Sequence, residues 1–299
     1  MGSLPSDAWT ELPQPEGLTR LAEIAARTYG APSPAHVVAA PGSQIMMTLL
    51  AGSVAPDRAA VLGPTYAEHA RVAELCGHKV VETSDAGRLG DAALAIVVNP
   101  NNPDGRVIQR AALLSAAEHL QRRGGRLVVD EAFMEAGAPA ESLAVAVGSE
   151  SIVVLRSFGK FYGLPGLRLS FALASPNLAR CLAAALGPWP VSGTALAIGA
   201  EALADRSWSN AARASLEAAS TRLDALLAGA GLKVIGGTFL FRLVQAPNAE
   251  ALFRRLGERG VLVRRFEREP EWLRFGLPGA ESDWQRLEAA LATSGMLRS

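Results

Sequence analysis

Residues 151–174 read SIVVLRSFGKFYGLPGLRLSFALA. A β-type apolar run, Ile152 to Leu155, breaks into Arg-Ser-Phe-Gly-Lys, passes through Phe-Tyr-Gly-Leu-Pro-Gly, and resumes as an apolar run from Leu169. Two strands thus almost meet around Lys160, with Ser157 three residues before it and Arg168 eight after. A lysine that follows a strand is ordinarily a solvated surface residue. Here Phe158, Phe161, Tyr162 and Leu164 surround it with apolar bulk, and desolvation lowers a lysine's pKa and frees its amine to add to a carbonyl. Ser157 and Arg168 supply a hydroxyl and a guanidinium suited to a phosphate.

Outward from this stretch, short apolar runs alternate with helical patterns. AAVLGP, KVVET, LAIVVNP, RLVVD and VVLRS read as strands, and Ser43–Ala51, Tyr66–Cys76, Gln109–Arg123 and Asn177–Leu186 read as helices. Continuous apolar strands separated by helices predict a mostly parallel sheet covered on both faces. Beyond about residue 190 the texture changes to an Ala-rich helical region with one break. Short strands (KVIGGTFLFRLV, VLVRRF, WLRFGL) then mix with helices at Glu250–Arg259 and Glu281–Ala292. The expected organisation is an N-terminal arm and helix over 1–30, a large α/β domain over 31–205 and a small α+β domain over 206–299.

A doubly covered parallel sheet places ligands at the carboxyl ends of its strands, so the polar residues there need explaining. After HVVAA come Gly42, Ser43 and Gln44 at the start of a helix, either a plain N-cap or backbone donors and a positive dipole end aimed at an anion. After LAIVV come three asparagines, Asn99, Asn101 and Asn102, within a Pro- and Gly-containing turn; they have more hydrogen-bonding capacity than a turn requires. After RLVV come Asp130 and Glu131. An acid ending a buried strand needs a positive partner or several donors, which favours a catalytic or cofactor-binding carboxylate, with a helix N-cap as the competing explanation. An anion site, a lysine nucleophile and a buried acid on neighbouring strands together suggest a phosphorylated aldehyde cofactor.

Composition bounds the alternatives. The 299 residues are 49% hydrophobic and 6% aromatic, and 29 basic side chains balance 29 acidic ones. That balance argues against a general nucleic-acid or anionic-membrane binder. Neither a signal-peptide pattern nor an apolar span of membrane length is present, so a soluble cytoplasmic protein is expected. Cys76 and Cys181 have no metal-type spacing and read as buried free thiols. The four histidines are scattered, so no metal site is expected, and His69 reads as a packed or solvated residue despite lying one turn beyond Tyr66. Trp189, Trp208, Trp272 and Trp284 read as core.

The joint order of N-P-N-N-P-D-G, D-E-A-F and S-x-x-K with an arginine eight residues on resembles the fold-type I pyridoxal-phosphate enzymes of the aspartate aminotransferase superfamily. Within them the chain looks most like the threonine-phosphate decarboxylases of cobalamin biosynthesis, with histidinol-phosphate aminotransferases as the alternative. The resemblance implies that Lys160 carries pyridoxal 5'-phosphate covalently, and that Asp130 pairs with its pyridinium nitrogen. Asn102 bonds the phenolic oxygen, and Tyr66 stacks on the ring. Gly42, Ser43, Gln44, Ser157 and Arg168 hold the phosphate. It also implies that Arg274 takes the substrate α-carboxylate and Arg264 the substrate phosphate, with Arg265 as a substitute, and that the enzyme is a homodimer. Two departures stand out. Phe133 occupies the position where aminotransferases commonly place a tyrosine. The chain also begins after the substrate-covering N-terminal segment of its relatives, with Leu12 where many have a tyrosine that crosses to the partner subunit. The second raises the expectation of a truncated or catalytically weakened homologue.

Overall fold

The computed structural model describes residues 4–292 and divides into two compact units, residues 1–101 with 107–207, and residues 102–106 with 208–299. The first unit is built on a seven-stranded sheet. Its strands are β1 (Val37–Ala40), β2 (Arg58–Leu62), β3 (Lys79–Thr83), β4 (Leu94–Val98), β5 (Arg126–Asp130), β6 (Ile152–Ser157) and β7 (Ser170–Leu173), in the order β1-β7-β6-β5-β4-β2-β3. All neighbours are parallel except β7, which runs antiparallel to both β1 and β6. Two antiparallel steps restore direction, so β1, β2, β4, β5 and β6 all point their carboxyl ends the same way.

The strands form where the sequence offers apolar residues to both faces. β4 and β7 are buried at every position, whereas the edge strand β3 is half exposed. Seven helices accompany the sheet: α1 (Asp7–Thr10), α2 (Pro15–Tyr29), α3 (Ser43–Gly52), α4 (Glu68–Leu75), α5 (Arg110–Arg122), α6 (Pro176–Leu186) and α7 (Gly193–Ala204). Pro15 at the first position starts α2, and Gly30 (φ 79°) ends it in the left-handed conformation by donating to Ala26 O at 2.9 Å. α3, α4 and α6 bury Met46, Leu50, Val72, Leu178 and Leu182 against Val61, Ile96, Val128 and Val153 of the sheet.

The second unit contains most of α8 (Arg206–Gly229), a four-stranded antiparallel sheet, α9 (Ala249–Glu258) and α10 (Glu281–Ala292). The sheet runs β10-β11-β9-β8, from β8 (Lys233–Thr238), β9 (Phe241–Gln245), β10 (Arg264–Arg265) and β11 (Trp272–Gly276). Its core gathers Leu223, Leu227, Val244, Leu252, Leu256, Leu273, Phe275, Trp284 and Leu287. KVIGGTFLFRLV, expected as one strand, is a hairpin, because Thr238-Phe239-Leu240 turns the chain. The Ala-rich region breaks at Asp205.

Several expectations about burial need correction. Cys181 is exposed and Cys76 only partly buried: α6 turns Leu178, Ala179 and Leu182 inward, and position 181 falls on the opposite face. Of the tryptophans, Trp284 is core, while Trp189 and Trp208 are exposed. No helix among the described residues is long and apolar enough to cross a membrane, and no group of His, Cys, Asp or Glu among them could hold a metal ion.

Candidate active site

Asp130 ends β5, opposite Val98 of β4 and Leu155 of β6. It is 6% exposed. Its carboxylate Oδ2 accepts from His69 Nε2 at 3.0 Å, and Oδ1 accepts from the Ala132 N–H at 3.1 Å. His69 reaches it because α4 buries one face, His69, Val72 and Ala73, at helical spacing. The histidine is thus neither solvated nor merely packed. Its pairing with Asp130 is 61 residues distant in sequence, and its one sequence signal is its place on the apolar side of α4. Tyr66 lies just before this helix, which starts at Glu68, later than its apolar pattern predicts. The Tyr66 ring is 38% exposed and stands edge-on to His69, with centroids 5.9 Å apart.

Glu131, the next residue, is wholly buried and faces a different environment. Ser142 Oγ and the Leu143 N–H donate to it, both at 2.7 Å, and Arg156 Nη2 lies 2.8 Å away. Arg156 also reaches Glu135 at 3.4 Å and lies 4.9 Å from the Tyr29 ring centroid. Burial pushes both carboxyls above their ordinary range, with Arg156 opposing; the Arg156 guanidinium is held up by the two carboxylates against its own burial.

The turn after β1 places Gly42 (φ 94°) as the N-cap of α3, so Ser43 and Gln44 open that helix with their backbone donors outward. A side chain at 42 would collide with the Arg168 guanidinium. Arg168 itself has φ 52°, the one positive value for a non-glycine among the described residues, a conformation that costs about 1–3 kcal/mol and persists only where the surrounding structure imposes it. The Gln44 side chain is tied to Glu68 at 2.9 Å, so its contribution to an anion is its backbone N–H.

Ser157 ends β6 opposite Ser170 of β7, and Phe158 N–H bonds Leu169 O at 3.1 Å. The loop beyond carries Lys160. Phe158, Phe161 and Tyr162 are buried as expected, and Phe158 stacks on Tyr162 at 4.2 Å. Lys160 itself is exposed, with Nζ 5.7 Å from the Phe133 ring centroid. The aromatics are buried while Lys160 is not, so the chain alone does not provide the desolvation expected from the sequence.

The asparagines divide their tasks. Asn99 closes a loop neck, donating to Ile108 O at 3.1 Å and accepting from the Ile108 N–H at 2.8 Å. Asn101 accepts from Thr65 Oγ1 at 2.6 Å and donates to Pro64 O at 3.0 Å. Asn102 belongs to the second unit, where its Oδ1 accepts from Arg274 Nη1.

Arg274 of β11 stands directly opposite Arg264 of β10, so the two guanidiniums leave the sheet on one face. Arg274 lies 4.9 Å from the Phe241 ring centroid, and burial, then the nearby Arg264, pushes its pKa down to about 10. Two cations in register favour an anion between them. Arg265, next along β10, faces the opposite side of the sheet and pairs with Glu250 at 2.8 Å.

A mostly parallel sheet with a lysine, a buried acid and a helix-opening glycine turn at the carboxyl ends of its strands is the layout of fold-type I pyridoxal-phosphate enzymes. The chain belongs to the aminotransferase class I and II family, whose pattern it matches over residues 5–292. It is 44% identical over 292 residues to threonine-phosphate decarboxylase of Pseudomonas aeruginosa, covering 97% of this chain and 86% of that one. It is 43% identical to the protein of the same name from a Sinorhizobium species, covering 97% and 87%. The structure of histidinol-phosphate aminotransferase from Sinorhizobium meliloti in complex with pyridoxal-5'-phosphate superposes with a TM-score of 0.85 at 22% identity, covering 96% of this chain and 83% of that one.

Proposed function

We propose that this protein is a pyridoxal-phosphate-dependent decarboxylase of L-threonine O-3-phosphate, giving 1-amino-2-propanol O-2-phosphate for cobalamin biosynthesis. The observation that carries the cofactor assignment is the cradle at Gly42. The Arg168 guanidinium lies beside the positive end of α3 at Gly42, whose φ of 94° is glycine's own, a donor set suited to a phosphate monoester. The substrate assignment rests on the 43–44% identity to threonine-phosphate decarboxylases over 97% of the chain. The paired Arg264 and Arg274 suit a substrate carrying both a carboxylate and a phosphate.

When bound, the cofactor supplies an electron sink for the pair released as the bond from Cα to the carboxylate breaks. The protein's part is positional and electrostatic. Asp130, oriented through His69 Nε2, presents a fixed negative charge that keeps the pyridine nitrogen protonated. Ser157, Arg168 and the N–H groups of Ser43 and Gln44 would hold the phosphate, and Tyr66 would supply an aromatic ring against the cofactor. Lys160 Nζ would hold the cofactor and is the amine placed to return a proton to Cα once CO2 has left. Asn102 bonds the phenolic oxygen while its carboxamide accepts from Arg274, which takes the α-carboxylate; Arg264 takes the substrate phosphate. Phe133 supplies no hydroxyl beside that oxygen, leaving Asn102 as its donor.

Incubation with L-threonine O-3-phosphate, with CO2 and product read together by mass spectrometry, tests this. Stoichiometric CO2 and aminopropanol phosphate are expected, with no turnover in Lys160→Ala. Conversion of the cofactor to its amine form by the amino substrate, its return to the aldehyde form with 2-oxoglutarate, and no CO2 would instead establish an aminotransferase. We also propose a cytoplasmic homodimer. The exposure of Trp9 and Leu12 on the N-terminal arm supports the dimer, and light scattering in solution measures it.

A further inference from the structure

Asn101 and Asn102 are adjacent in the chain but anchored to different bodies. Asn101 is fixed by Pro64 and Thr65, and Asn102 by Arg274. The Asn99 to Ile108 hydrogen bonds close the neck of this loop, and its tip, residues 102–106, is counted with the second unit. The tip lies on the edge of β8 by backbone contact. Gly237 N–H donates to Asp104 O at 2.8 Å. A side chain at Gly236 would collide with the Asp104 carbonyl, and one at Gly105 (φ 72°) with the Gly237 carbonyl. β8 shifts register against β9 between Val234 and Gly236, which bends the strand where the tip arrives. Asp104 stiffens the tip from within, accepting from the Arg106 backbone N–H and from Arg106 Nη1, both at 3.0 Å.

We propose that Gly105, Gly236 and Gly237 form a backbone clip that holds residues 102–106 against β8 and thereby positions Arg274 for the substrate carboxylate through Asn102. Arg274 extends from β11 over Phe241 of β9 to the Asn102 carboxamide. The far end of that reach is set by where the clip leaves Asn102. The glycines are positioning residues; they touch no reacting atom. The absent side chains of Gly105 and Gly236 let two backbones approach closely, and a single methyl group at either displaces the tip, while Gly237 contributes its N–H and carbonyl to the contact.

This inference rests on the reading of Arg274 as the carboxylate ligand, and the test separates the two. Gly236→Ala is the variant of choice, because its backbone is outside the glycine-only region and only the space is altered. The clip predicts a KM for L-threonine O-3-phosphate raised roughly 10- to 100-fold, the scale of a small misplacement of a positioned group, with cofactor loading by visible absorbance unchanged. It also predicts no further rise when the change is made in an Arg274→Ala background. A normal KM in Gly236→Ala alongside a raised KM in Arg274→Ala overturns the clip and leaves the arginine reading standing. A normal KM in Arg274→Ala overturns the arginine reading, and the clip with it. Should Gly236→Ala fail to fold, hydrogen exchange on the wild-type holoenzyme decides: the Gly237 amide is expected to be protected, and exchange as fast as an open loop overturns the clip.

Discussion

Asp130 and Glu131 share a peptide bond and a charge, yet their surroundings make one a working group and the other a rivet. Glu131 is held by three fixed partners. A hydroxyl, a backbone N–H and a guanidinium converge on it in a fully buried pocket, so its charge is consumed in joining Ser142, Leu143 and Arg156 to the end of β5. Asp130 has two donors, one of them an orienting histidine, and a carboxylate has acceptor sites for about four. An acid whose acceptors are engaged by a buried cation and fixed donors describes a fold; one that is oriented and retains acceptor capacity suits a site.

Breaking Glu131 has the largest effect. Glu131→Ala leaves Arg156 buried beside a single, more distant carboxylate, and unfolding free energy is expected to fall by about 3–5 kcal/mol, read by urea denaturation. Asp130→Asn sharpens the contrast: kcat/KM is expected to drop about 10²–10³-fold, the scale of one preorganised electrostatic partner, with the urea midpoint close to wild type. His69→Asn removes a hydrogen bond to a charged group, worth about 1.5–3 kcal/mol. Activity is expected to fall about 10- to 100-fold, with a displaced pH profile for the cofactor's absorbance, which a purely structural histidine would not move. The smallest effect is at Glu135, whose carboxyl is raised above 4.5 by burial, with Glu131 adding and Arg156 opposing. As pH rises past that value, the unfolded chain releases this proton first. The stability contributed by the protonated carboxyl is therefore full below pH 4.5 and lost as pH climbs through the folded-state value. Glu135→Gln is expected to gain on wild type over that rise, measured by denaturation from pH 4.5 to 8.

Much of this was readable from the chain because burial leaves a period in the sequence. Five apolar strands, their order of polar ends and the helices between them follow from residue type alone, and the lysine, acid and arginine motifs sit where those strands stop. Partnership leaves no such period. Nothing local at His69 names Asp130, and alternation along β5 implies opposite faces for Asp130 and Glu131 without saying which face meets a guanidinium. Arg265 and Arg264 look equivalent as neighbours until Glu250 claims one of them. Lys160 was read as buried because its neighbours are apolar, but a loop can bury its aromatics and leave the residue between them in water. The tip at 102–106 was assigned with the strand that precedes it, since sequence adjacency cannot register a backbone contact that only glycines permit.

The junction of Arg168 with Gly42 has a practical corollary for handling the protein. A cation pressed against a positive helix end is a standing appetite for any small oxyanion, and free energy gained by the folded state scales with the logarithm of ligand over its dissociation constant. Phosphate or sulfate in a buffer would therefore compete for that site. It would stabilise the apoprotein against heat while slowing its loading with cofactor, so thermal stability and readiness for catalysis would move in opposite directions as the buffer is changed.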